Sequence, residues 1–342
     1  MSVDAGAPNA LVTGISAMVS GATGFLGGVL LSRLREKGFR VRALARPTSE
    51  TSGLVRSGID ISEGDVLDRQ SLRRAMAKQH VVFHTAGRVS DQGSRRAFWH
   101  ANVDGTANVI AACREAGVKR LIHLSSLTVL GLPRSGARID EQTPLADSLR
   151  DPYSASKLAG EKLVRVAHGS GGLETVVIRP GMIWGPGDTT IMPRLVALLR
   201  RRRLIFIGRG DNHLGLSHVE NLSQGLIQAA MTPRAAGQVF HLTDGEEVTA
   251  HDAFCALAAT LGVPPPRFSL PFPLVYFLAA LAEWYARLRA GDAAPALSRY
   301  GVRMVACDSR YDIGKAQREL GYRPAVTFRR GMESLFAAAV EP

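Results

Sequence analysis

Residues 17–30 read AMVSGATGFLGGVL, an apolar segment followed by glycines at positions 21, 24 and 27. A turn that holds a phosphate needs glycines between a strand and a helix, because backbone N–H groups and the helix N-terminus must approach the ligand closely. After the glycines, apolar residues recur at helical spacing up to Leu34, and Gly38 is a stop signal. The stretch therefore predicts a strand over 15–20, a nucleotide-binding turn and a helix over 25–37.

A second candidate for the same turn lies just upstream, in ALVTG at residues 10–14. Counting from Gly14 places Ala17 and Ser20 where the second and third glycines would stand, so this segment does not lead into the motif. Residues 1–14 are then expected to form an N-terminal extension. A glycine turn alone also fits an ordinary tight turn between a strand and a helix. The rest of the sequence is therefore needed to decide between this interpretation and a nucleotide-binding turn.

The rest of the chain continues the alternation of strands and helices. Segments such as 81–83 and 176–178 are apolar without polar alternation, as expected when helices cover both faces of a parallel sheet. The sequence therefore predicts a doubly wound parallel α/β sheet, the Rossmann arrangement, over residues 15–180. Its further strands are FRVRALAR (39–46), IDISEGDV (59–66), HVVFHTAG (80–87), KRLIHLSS (119–126) and ETVVIRPG (174–181).

Composition restricts the partners of the chain. It has 342 residues, and 42 Lys or Arg against 30 Asp or Glu give a formal charge of +12, which attracts anionic ligands and lipid surfaces. The basic residues are scattered apart from 200–203, and neither zinc-ligand spacing nor an aromatic ribbon accompanies them, so we expect no nucleic-acid binding and no metal site. Three widely separated cysteines and the lack of a secretion signal indicate a reducing, cytoplasmic setting.

The end of the second predicted strand, ALARP at 43–47, bears on which dinucleotide binds. An acid after this strand accepts from the adenosine ribose in NAD sites, whereas an Arg accommodates the 2′-phosphate of NADP. Ala45 stands at the acid's place and Arg46 follows, so NADP is favoured over NAD. Two alternatives stay open, namely Arg46 as a solvated loop charge and Glu50 as a ribose ligand.

DPYSASKLAGEKL, residues 151–163, predicts the start of a helix with Asp151 as its N-cap. Tyr153 and Lys157 lie four residues apart and so share one helical face. A Tyr needs a pKa shift of roughly three units, about 4 kcal/mol, to exchange protons near pH 7. An ammonium about 4 Å away supplies on the order of 4 kcal/mol at an effective dielectric constant near 20. The spacing therefore predicts an acid/base Tyr whose pKa is lowered by Lys157.

A hydroxyl at the end of the fifth predicted strand completes this group. Ser125 and Ser126 are predicted at the carboxyl edge of the sheet, where ligands bind, and a hydroxyl there can hold a substrate oxygen. YDIGK at 311–315 repeats the Tyr–Lys spacing without such a serine, so we expect Tyr311 to be structural.

Seven short motifs occur along the chain: GATGFLG (21–27), GDVLD (64–68), FHTAG (83–87), NVDGT (102–106), LSSLTVLG (124–131), YSASK (153–157) and IRPGMIWGPGD (178–188). Together they resemble the extended short-chain dehydrogenase/reductase superfamily, of the NAD-dependent epimerase/dehydratase type, over nearly the whole chain. GLSHVENLSQG (215–225), VFHLTDGEEVT (239–249) and LGYRPAVTF (320–328) are most similar to its 3β-hydroxysteroid dehydrogenase branch, which includes sterol-4α-carboxylate 3-dehydrogenases and 2-alkyl-3-oxoalkanoate reductases.

The resemblance implies roles for individual residues. Tyr153 is the implied acid/base, Lys157 its electrostatic partner and a ligand of the nicotinamide ribose, and Ser126, in preference to Ser125, the donor to the substrate oxygen. Asn102 is expected chiefly to tie backbone segments together, and His84 to be a buried strand-end residue. The residues expected to bind the dinucleotide are Gly21, Thr23, Gly24, Phe25, Leu26, Gly27, Arg46, Asp65, Val66, Ala86, Gly87, Tyr153, Lys157, Pro180, Gly181 and Ile183.

Residues 181–342 are expected to form a smaller, mostly helical substrate-binding domain, with about 212–245 returning to the first domain. Within it, LPFPLVYFLAALAEWYARLRAG (270–291) has an apolar helical face, but Glu283 and Arg287 interrupt it. A spanning helix needs about twenty apolar residues, so we expect this segment not to cross a bilayer. Three interpretations of this face stay open: core or pocket wall, an interfacial helix on a membrane, and a homodimer surface. Residues 200–203 fit either a solvated helix C-terminus or a phosphate or lipid contact.

The expected substrate is an apolar compound of the small-molecule class and not a macromolecule. Aromatic candidates for the wall of its pocket are Trp184, Phe268, Phe272, Tyr276 and Phe277. Leu127 and Thr128 replace the acidic pair that sugar-nucleotide dehydratases of the family carry after the serine, which argues against dehydration.

The expected activity is NAD(P)-dependent interconversion of a secondary alcohol and a ketone on a bulky apolar molecule such as a sterol, terpenoid or β-oxo acyl compound. Two alternatives are a nucleotide-sugar epimerase with tightly bound NAD and a non-enzymatic dinucleotide-sensing regulator.

Overall fold

The computed structural model describes residues 14–335 except 90–92, 132–137, 148, 150 and 289–296, and only the backbone of 287–288. Residues 1–13 of the predicted N-terminal extension, which include all of the ALVTG segment except Gly14, lie outside the described residues. The strands, in chain order, are β1 (Ser16–Ser20), β2 (Arg40–Ala45), β3 (Asp60–Glu63), β4 (Val81–His84), β5 (Arg120–Leu124), β6 (Arg138–Ile139), β7 (Glu174–Pro180), β8 (Met182–Trp184), β9 (Phe206–Ile207), β10 (Leu216–His218), β11 (Val239–Leu242), β12 (Ser269–Leu270) and β13 (Arg310–Tyr311).

The helices, in chain order, are α1 (Phe25–Glu36), α2 (Ser52–Arg56), α3 (Arg69–Met76), α4 (Arg95–Trp99), α5 (Gly105–Glu115), α6 (Pro152–Ala167), α7 (Met192–Arg200), α8 (Val219–Met231), α9 (Ala250–Thr260), α10 (Phe272–Leu288), α11 (Arg299–Ala306), α12 (Gly314–Leu320) and α13 (Phe328–Ser334). A π-helical turn at His100–Asp104 joins α4 to α5, and a 3-10 turn at Leu127–Leu130 follows β5.

One parallel sheet of seven strands organises the molecule, in the order β3-β2-β1-β4-β5-β7-β11. Every residue of β1, β4 and β5 is buried, because helices cover both faces. The apolar side chains of α1 and α8 pack on one face, and those of α3, α5 and α6 pack on the other. A strand forms at each of the six predicted places, and the predicted doubly wound parallel fold is confirmed.

The order of the strands places a crevice at the carboxyl edge of the sheet. From β1 the chain proceeds outward to β2 and β3, and then returns past β1 to β4 and β5. Ligands of such sheets bind where the order reverses, beyond the carboxyl ends of β1 and β4. After α8, the chain adds β11 beside β7 in parallel.

A mostly helical region stands over this edge, as predicted. It includes the short parallel pair of β9 with β12, and two further short parallel pairs, β8 with β10 and β6 with β13, join it to neighbouring segments. An apolar cluster of its own joins α7, α9 and α13. Among the contacts between helices, α10 packs against α11.

The outer face of α10 is exposed to solvent, so its interpretation as core or pocket wall is wrong. Val275 and Ala279 on the inner face are buried against β9, β12 and α11. Phe277 and Trp284, in contrast, are 59% and 58% exposed. Leu274, Leu278, Leu281 and Tyr285 are exposed as well. Within the described part of the chain, no helix is both long enough and apolar enough to cross a membrane.

Candidate active site

At the turn after β1, backbone groups and not side chains lie at the end of the strand. Gly21 has a φ of +74°, which favours glycine, and a Cβ there would lie 2.7 Å from the Ala86 nitrogen. A Cβ on Gly27 would collide with the Gly21 carbonyl oxygen. Gly24 is the N-cap of α1 and supplies no side-chain cap, so the N–H groups of the first helical turn are available to an anion.

Arg46 is exposed directly after β2, whereas Ala45 is buried. None of the carboxylates that the structure describes lies within ion-pair distance of its guanidinium. Glu50 is occupied locally, because its Oε1 accepts from the Ser52 nitrogen at 2.8 Å. Hydrogen bonding to Ser52 also lowers the pKa of the Glu50 carboxyl. Arg46 is thus the charged side chain at this strand end that an anionic ligand group can use.

The other predicted dinucleotide residues lie along the same edge of the sheet. Asp65 and Val66 follow β3, and the Asp65 Oδ1 accepts from the Leu67 nitrogen at 2.9 Å. Gly87 follows β4, and a Cβ there would lie 2.9 Å from the Asn102 Oδ1 and 3.6 Å from the Lys157 Nζ. Beyond β7, the Gly181 nitrogen donates to the Ser217 Oγ at 2.9 Å.

Tyr153 is placed by the first turn of α6. Asp151 is the N-cap of this helix, its Oδ1 accepts from the Ser154 nitrogen at 2.7 Å, and Pro152 occupies the first turn. Tyr153 is buried, and its phenol lies near the Ser126 hydroxyl. Ser126 is itself fixed as the cap of the turn after β5, where its Oγ accepts from the Thr128 nitrogen at 3.2 Å. The structure thus brings together the hydroxyls of Ser126 and Tyr153.

Burial dominates the electrostatics of the pair on α6. It raises the pKa of Tyr153 to about 12, although hydrogen bonding to Ser126 opposes the rise. It lowers the pKa of Lys157 to about 8, although the Glu161 carboxylate opposes the fall. The spacing of the two residues predicted that Lys157 lowers the pKa of Tyr153. This lowering is not found in the protein chain, where burial raises that pKa. The desolvated phenol favours its neutral form, and the Lys157 Nζ donates to the Leu124 carbonyl at 2.5 Å.

A buried ion pair lies behind the site. Arg179 of β7 and Glu161 of α6 form two hydrogen bonds, at 2.5 and 3.0 Å. The same Glu161 accepts from the Ser125 Oγ at 2.6 Å. Ser125 is therefore turned into the core, which agrees with the preference for Ser126 as the substrate-facing hydroxyl.

Asn102 and His84 support the backbone around the site. The Asn102 Oδ1 accepts from the Arg88 nitrogen at 2.8 Å, and its Nδ2 donates to the Ser156 Oγ at 2.9 Å. His84 is buried between Ser20 and Thr106, at 2.8 and 3.0 Å, and burial lowers its pKa to about 3. A neutral, satisfied His84 is a structural residue, as expected.

A cleft opens between the carboxyl edge of the sheet and α11. Its wall is contributed by Ser126, Leu127, Thr128, Gly131, Leu149, Asp151, Ser154, Pro180, Gly181, Met182, Gly215, Tyr300, Arg303, Met304, Cys307, Ser309 and Tyr311. The Tyr300 ring packs edge-on against the Tyr153 ring, with centroids 5.7 Å apart. Sequence reasoning missed Tyr300, Arg303 and Met304. Ser298 was a sequence signal for α11, because it caps this helix by accepting from the Gly301 nitrogen at 3.0 Å. A cap of this kind predicts that a helix begins there, but not against which part of the molecule the helix packs.

The aromatic residues proposed as pocket walls do not line this cleft. Trp184 is buried in the apolar cluster of the helical region, and its Nε1 donates to the Asp244 Oδ2 at 2.8 Å. Tyr276 stacks on Phe272 with ring centroids 5.5 Å apart, and Phe277 faces outward from α10. The sequence identified these side chains as apolar. Their neighbours follow from the packing of α10 on β9 and β12, which the spacing of residues along the sequence does not reveal.

The second Tyr–Lys pair does not assemble. The Lys315 Nζ donates to the Gln238 Oε1 at 2.9 Å and to the Val239 carbonyl at 3.0 Å, away from the cleft. Tyr311 packs edge-on against the His241 ring and contributes to the cleft wall. It is a wall residue without an ammonium partner.

A family model also matches this chain. The model of the NAD dependent epimerase/dehydratase family matches residues 17–242, from β1 to the end of β11. The chain belongs to this family. The match includes the glycine turn, Ser126, Tyr153 and Lys157, and the resemblance inferred from the motifs is confirmed.

Several similar proteins match most of the chain. The 2-alkyl-3-oxoalkanoate reductase of Shewanella oneidensis is 32% identical, over 94% of this chain and 86% of its own. The 4-hydroxy-2-methyl-3-oxo-4-farnesyl-3,4-dihydroquinoline-1-oxide ketoreductase of Stigmatella aurantiaca is 35% identical, over 93% and 94%. The 3beta-hydroxysteroid-dehydrogenase/decarboxylase isoform 1 of Arabidopsis thaliana is 33% identical, over 92% and 77%. The crystal structure of gox2253 has a TM-score of 0.77 at 30% identity and covers 94% of this chain and 97% of that one.

These relatives are reductases and dehydrogenases, so the predicted oxidoreductase class is confirmed. The glycine turn also fits the dinucleotide of the family. A Cβ would fill the turn at Gly21 and Gly27, and the uncapped first turn of α1 presents N–H donors to a pyrophosphate. The family shows NAD dependence without distinguishing the two dinucleotides.

Proposed function

We propose that the protein interconverts a ketone and a secondary alcohol on a bulky, largely apolar molecule with NAD(P). The observation that carries this proposal is that Ser126, in the wall of the cleft, lies next to the buried Tyr153, while Lys157 contacts the carboxyl end of β5. The relatives that reduce oxo groups on alkyl, farnesyl and steroid frameworks support the same class of substrate. The proposed division assigns residues 15–180, with about 212–245, to the dinucleotide and the remainder from 181 to the substrate.

The side chains divide the work on the reacting oxygen. When bound, the dinucleotide supplies or accepts the hydride. The Ser126 hydroxyl holds and polarises the substrate oxygen by a hydrogen bond. Tyr153, neutral because burial raises its pKa to about 12, donates its phenolic proton to that oxygen in the reducing direction. The Lys157 ammonium stabilises the resulting phenolate by its positive charge. Its proximity to Gly87 supports its proposed second role as a ligand of the nicotinamide ribose.

A second apolar pocket gives room for the remainder of a bulky substrate. Met182 lies in the wall of the catalytic cleft and also in the wall of a pocket formed by Trp184, Leu195, Leu214, Phe254, Val305, Phe328 and other residues. An alkyl or isoprenoid arm that passes Met182 would be buried among these side chains, where each buried CH₂ contributes about 0.8 kcal/mol. Trp184 is thus proposed as a substrate-side residue of this second pocket.

The test is cofactor consumption. NADPH or NAD is mixed with a panel of ketones or alcohols of increasing apolar size, and absorbance of the reduced cofactor is followed. We expect stoichiometric consumption by wild type and loss of turnover of at least 10³-fold in Tyr153→Phe, with dinucleotide affinity within about twofold. Undiminished turnover in Tyr153→Phe would refute the assignment.

A nucleotide-sugar epimerase is the second candidate, because the family name includes that activity. An epimerase retains its NAD through turnover and consumes none. Conversion of a UDP-sugar without net cofactor consumption would replace the proposal.

We propose NADP as the preferred dinucleotide, on the strength of exposed Arg46 and buried Ala45. Arg46→Asp is expected to weaken NADPH by roughly 10- to 100-fold, as for the loss of a charged hydrogen bond, and NADH only slightly. Equilibrium titration of both cofactors measures this, and equal weakening would contradict it.

We also propose that the outer face of α10 rests on an anionic lipid surface. Six large apolar side chains share that face, and Glu283, the acid of the helix, is paired inward with Arg299 at 2.8 Å. The Phe206 nitrogen donates to the Phe268 carbonyl at 2.9 Å, which brings exposed 201–203 beside exposed Arg267 at one end of the helix. An apolar face flanked by basic residues fits anionic headgroups.

Vesicle sedimentation tests this surface. Wild type is expected to bind vesicles containing phosphatidylglycerol more than pure phosphatidylcholine vesicles, and Phe277→Glu/Leu281→Glu to lose at least tenfold of that binding. Val166→Glu, at a position 84% exposed on α6, is the matched control. Absence of vesicle binding together with a dimer that the double variant dissociates would assign the face to a second copy instead.

A further inference from the structure

Thr128 lies in the wall of the catalytic cleft, two residues after Ser126. Its hydroxyl donates to the Ser126 Oγ at 3.0 Å, and its backbone nitrogen donates to the same oxygen at 3.2 Å. Both donors belong to the 3-10 turn at Leu127–Leu130, of which Ser126 is the N-cap. Thr128 therefore contacts Ser126 twice, once through its backbone and once through its side chain.

The turn that carries Thr128 is held by main-chain bonds. The Val129 nitrogen donates to the Ser126 carbonyl at 3.2 Å, and the Gly131 nitrogen donates to the Thr128 carbonyl at 3.1 Å. Val129 is fully buried, and its carbonyl accepts from the Ala146 nitrogen at 3.1 Å. None of these three bonds uses the Thr128 hydroxyl, so we expect the turn to keep its shape when that hydroxyl is removed.

The two contacts from Thr128 use the acceptor capacity of the Ser126 hydroxyl. A hydroxyl oxygen has two lone pairs and one proton. When both lone pairs accept from Thr128, Ser126 enters any further hydrogen bond as the donor. The neighbouring Ser125 has a different assignment, because its hydroxyl donates to the buried Glu161 at 2.6 Å. Of the two serines, Ser126 is therefore the one whose proton is available to a ligand in the cleft.

The direction of this hydrogen bond also matters for Tyr153, whose phenol lies near the Ser126 hydroxyl. A Ser126 oxygen with an open lone pair could accept the phenolic proton, and Tyr153 would then be occupied by its neighbour in place of the substrate. Occupied lone pairs exclude that bond, so Ser126 and Tyr153 both remain donors. An oxygen that changes from a ketone to an alkoxide is stabilised by donors that are already in place.

We propose that Thr128 is a positioning residue, whose hydroxyl fixes Ser126 as a hydrogen-bond donor to the substrate oxygen. Thr128 acts through Ser126 and does not itself contact the reacting atoms. A hydroxyl that accepts a hydrogen bond is polarised and becomes a stronger donor, so its bond strengthens as the substrate oxygen gains charge. The effect therefore belongs to the transition state more than to substrate binding. This inference rests on the proposed function and deepens it.

The experiment removes the Thr128 hydroxyl and keeps the shape of the side chain. Thr128→Val is expected to lower kcat for a ketone roughly 3- to 10-fold, the range of a neutral hydrogen bond, with KM within about twofold. Thr128→Ser restores the hydroxyl and should recover most of the rate. The matched control is Thr143→Val, which removes a threonine hydroxyl that donates to the Asp140 Oδ1 at 3.3 Å and should leave kcat and KM unchanged.

A double-variant cycle separates an effect through Ser126 from other effects. Ser126→Ala alone is expected to lower kcat roughly 10²- to 10³-fold. Thr128→Val added to Ser126→Ala should change kcat by less than about twofold, because the group that Thr128 positions is absent. An additive further loss would show that Thr128 acts independently of Ser126, and would overturn the proposal.

Infrared spectroscopy measures the hydrogen bonds to a bound ketone without turnover. The ketone is bound together with the oxidised dinucleotide, which has no hydride to give. Its carbonyl stretching frequency should be higher in Thr128→Val than in wild type and should return to the wild-type value in Thr128→Ser. An unchanged frequency and an unchanged kcat in Thr128→Val would refute the role of Thr128 while the proposed function stands. A wild type that neither binds nor reduces any ketone would refute the proposed function, and this inference with it.

Discussion

Lys157 carries its ammonium into a site from which water is almost excluded. The side chain is 5% exposed, its Nζ donates to the Leu124 carbonyl, and the nearest acid, Glu161, is shared with Arg179. Burial therefore outweighs the attraction of Glu161, and the pKa of Lys157 falls to about 8. In the proposed mechanism this charge serves a phenolate and a ribose, and its burial is a cost to the stability of the chain.

We expect Lys157→Met to stabilise the protein at pH 7 while abolishing turnover. A pKa that falls from 10.5 to about 8 on folding corresponds to about 3 kcal/mol, of which roughly 1 kcal/mol is offset when the Leu124 carbonyl loses its donor. Because the folded pKa is the lower one, the penalty is complete below pH 8 and disappears as pH rises toward 10.5. Urea unfolding at pH 7 and pH 10 measures both limits.

The control for this prediction is the pH dependence itself. The advantage of the variant over wild type should shrink between the two pH values, since other titrating groups are common to both proteins. A variant less stable than wild type at pH 7, or an advantage that does not change with pH, would contradict the burial argument.

Residues whose positions depend on local spacing were predictable, and those whose positions depend on distant packing were not. Tyr153, Lys157 and Ser126 follow from one helical turn and one strand end, and the structure places all three at the same edge. Tyr300 and Arg303 reach the cleft only because α11 packs over that edge, far along the chain from α6. Nothing in the sequence around them reports that contact.

At the level of elements, the turn between β1 and α1 is a tightly constrained connection. Its shape follows from two glycines with different tasks: Gly21 adopts a positive φ, and Gly27 lets the first turn of α1 approach the Gly21 carbonyl. Gly28, the next residue, has open space where a Cβ would be. The sequence shows three glycines at the motif positions and a fourth beside them. The geometry shows that the turn requires glycine at positions 21 and 27, whereas position 28 has room for a side chain.

Gly27→Ala and Gly28→Ala are expected to have opposite effects. The first forces backbone against backbone, and overpacking of this kind costs about 1–3 kcal/mol and displaces the N–H groups that face the dinucleotide. The second replaces a helical glycine without a clash and gains up to about 1 kcal/mol of helix propensity. Thermal unfolding and dinucleotide titration of the pair measure this. A neutral Gly27→Ala with intact affinity would show that the turn can widen.

At the scale of the whole molecule, polar groups join the sheet to the site. The pattern of apolar residues in the sequence did not reveal these groups. Apolar strands and their connecting helices predicted the parallel sheet correctly, because burial on both faces leaves a clear signature. Glu161 and Arg179, in contrast, stand within apolar segments of α6 and β7 and are 0% and 2% exposed as side chains. Their pairing, together with Ser125 after β5, fixes the helix that carries Tyr153 to the two strands beneath it.

Breaking this ion pair should destabilise the protein more than removing it. Arg179→Met leaves the Glu161 carboxylate buried without its partner and is expected to cost about 3–5 kcal/mol, whereas the double variant Arg179→Met/Glu161→Leu leaves no unpaired charge and should cost less. Urea unfolding of both single variants and the double variant gives the coupling energy. Glu333→Gln, which breaks an exposed pair with Arg329, is the control and should change stability by less than about 1 kcal/mol. If the double variant loses as much as the sum of the two single variants, the carboxylate and guanidinium act independently, and the sheet does not hold α6 through this pair.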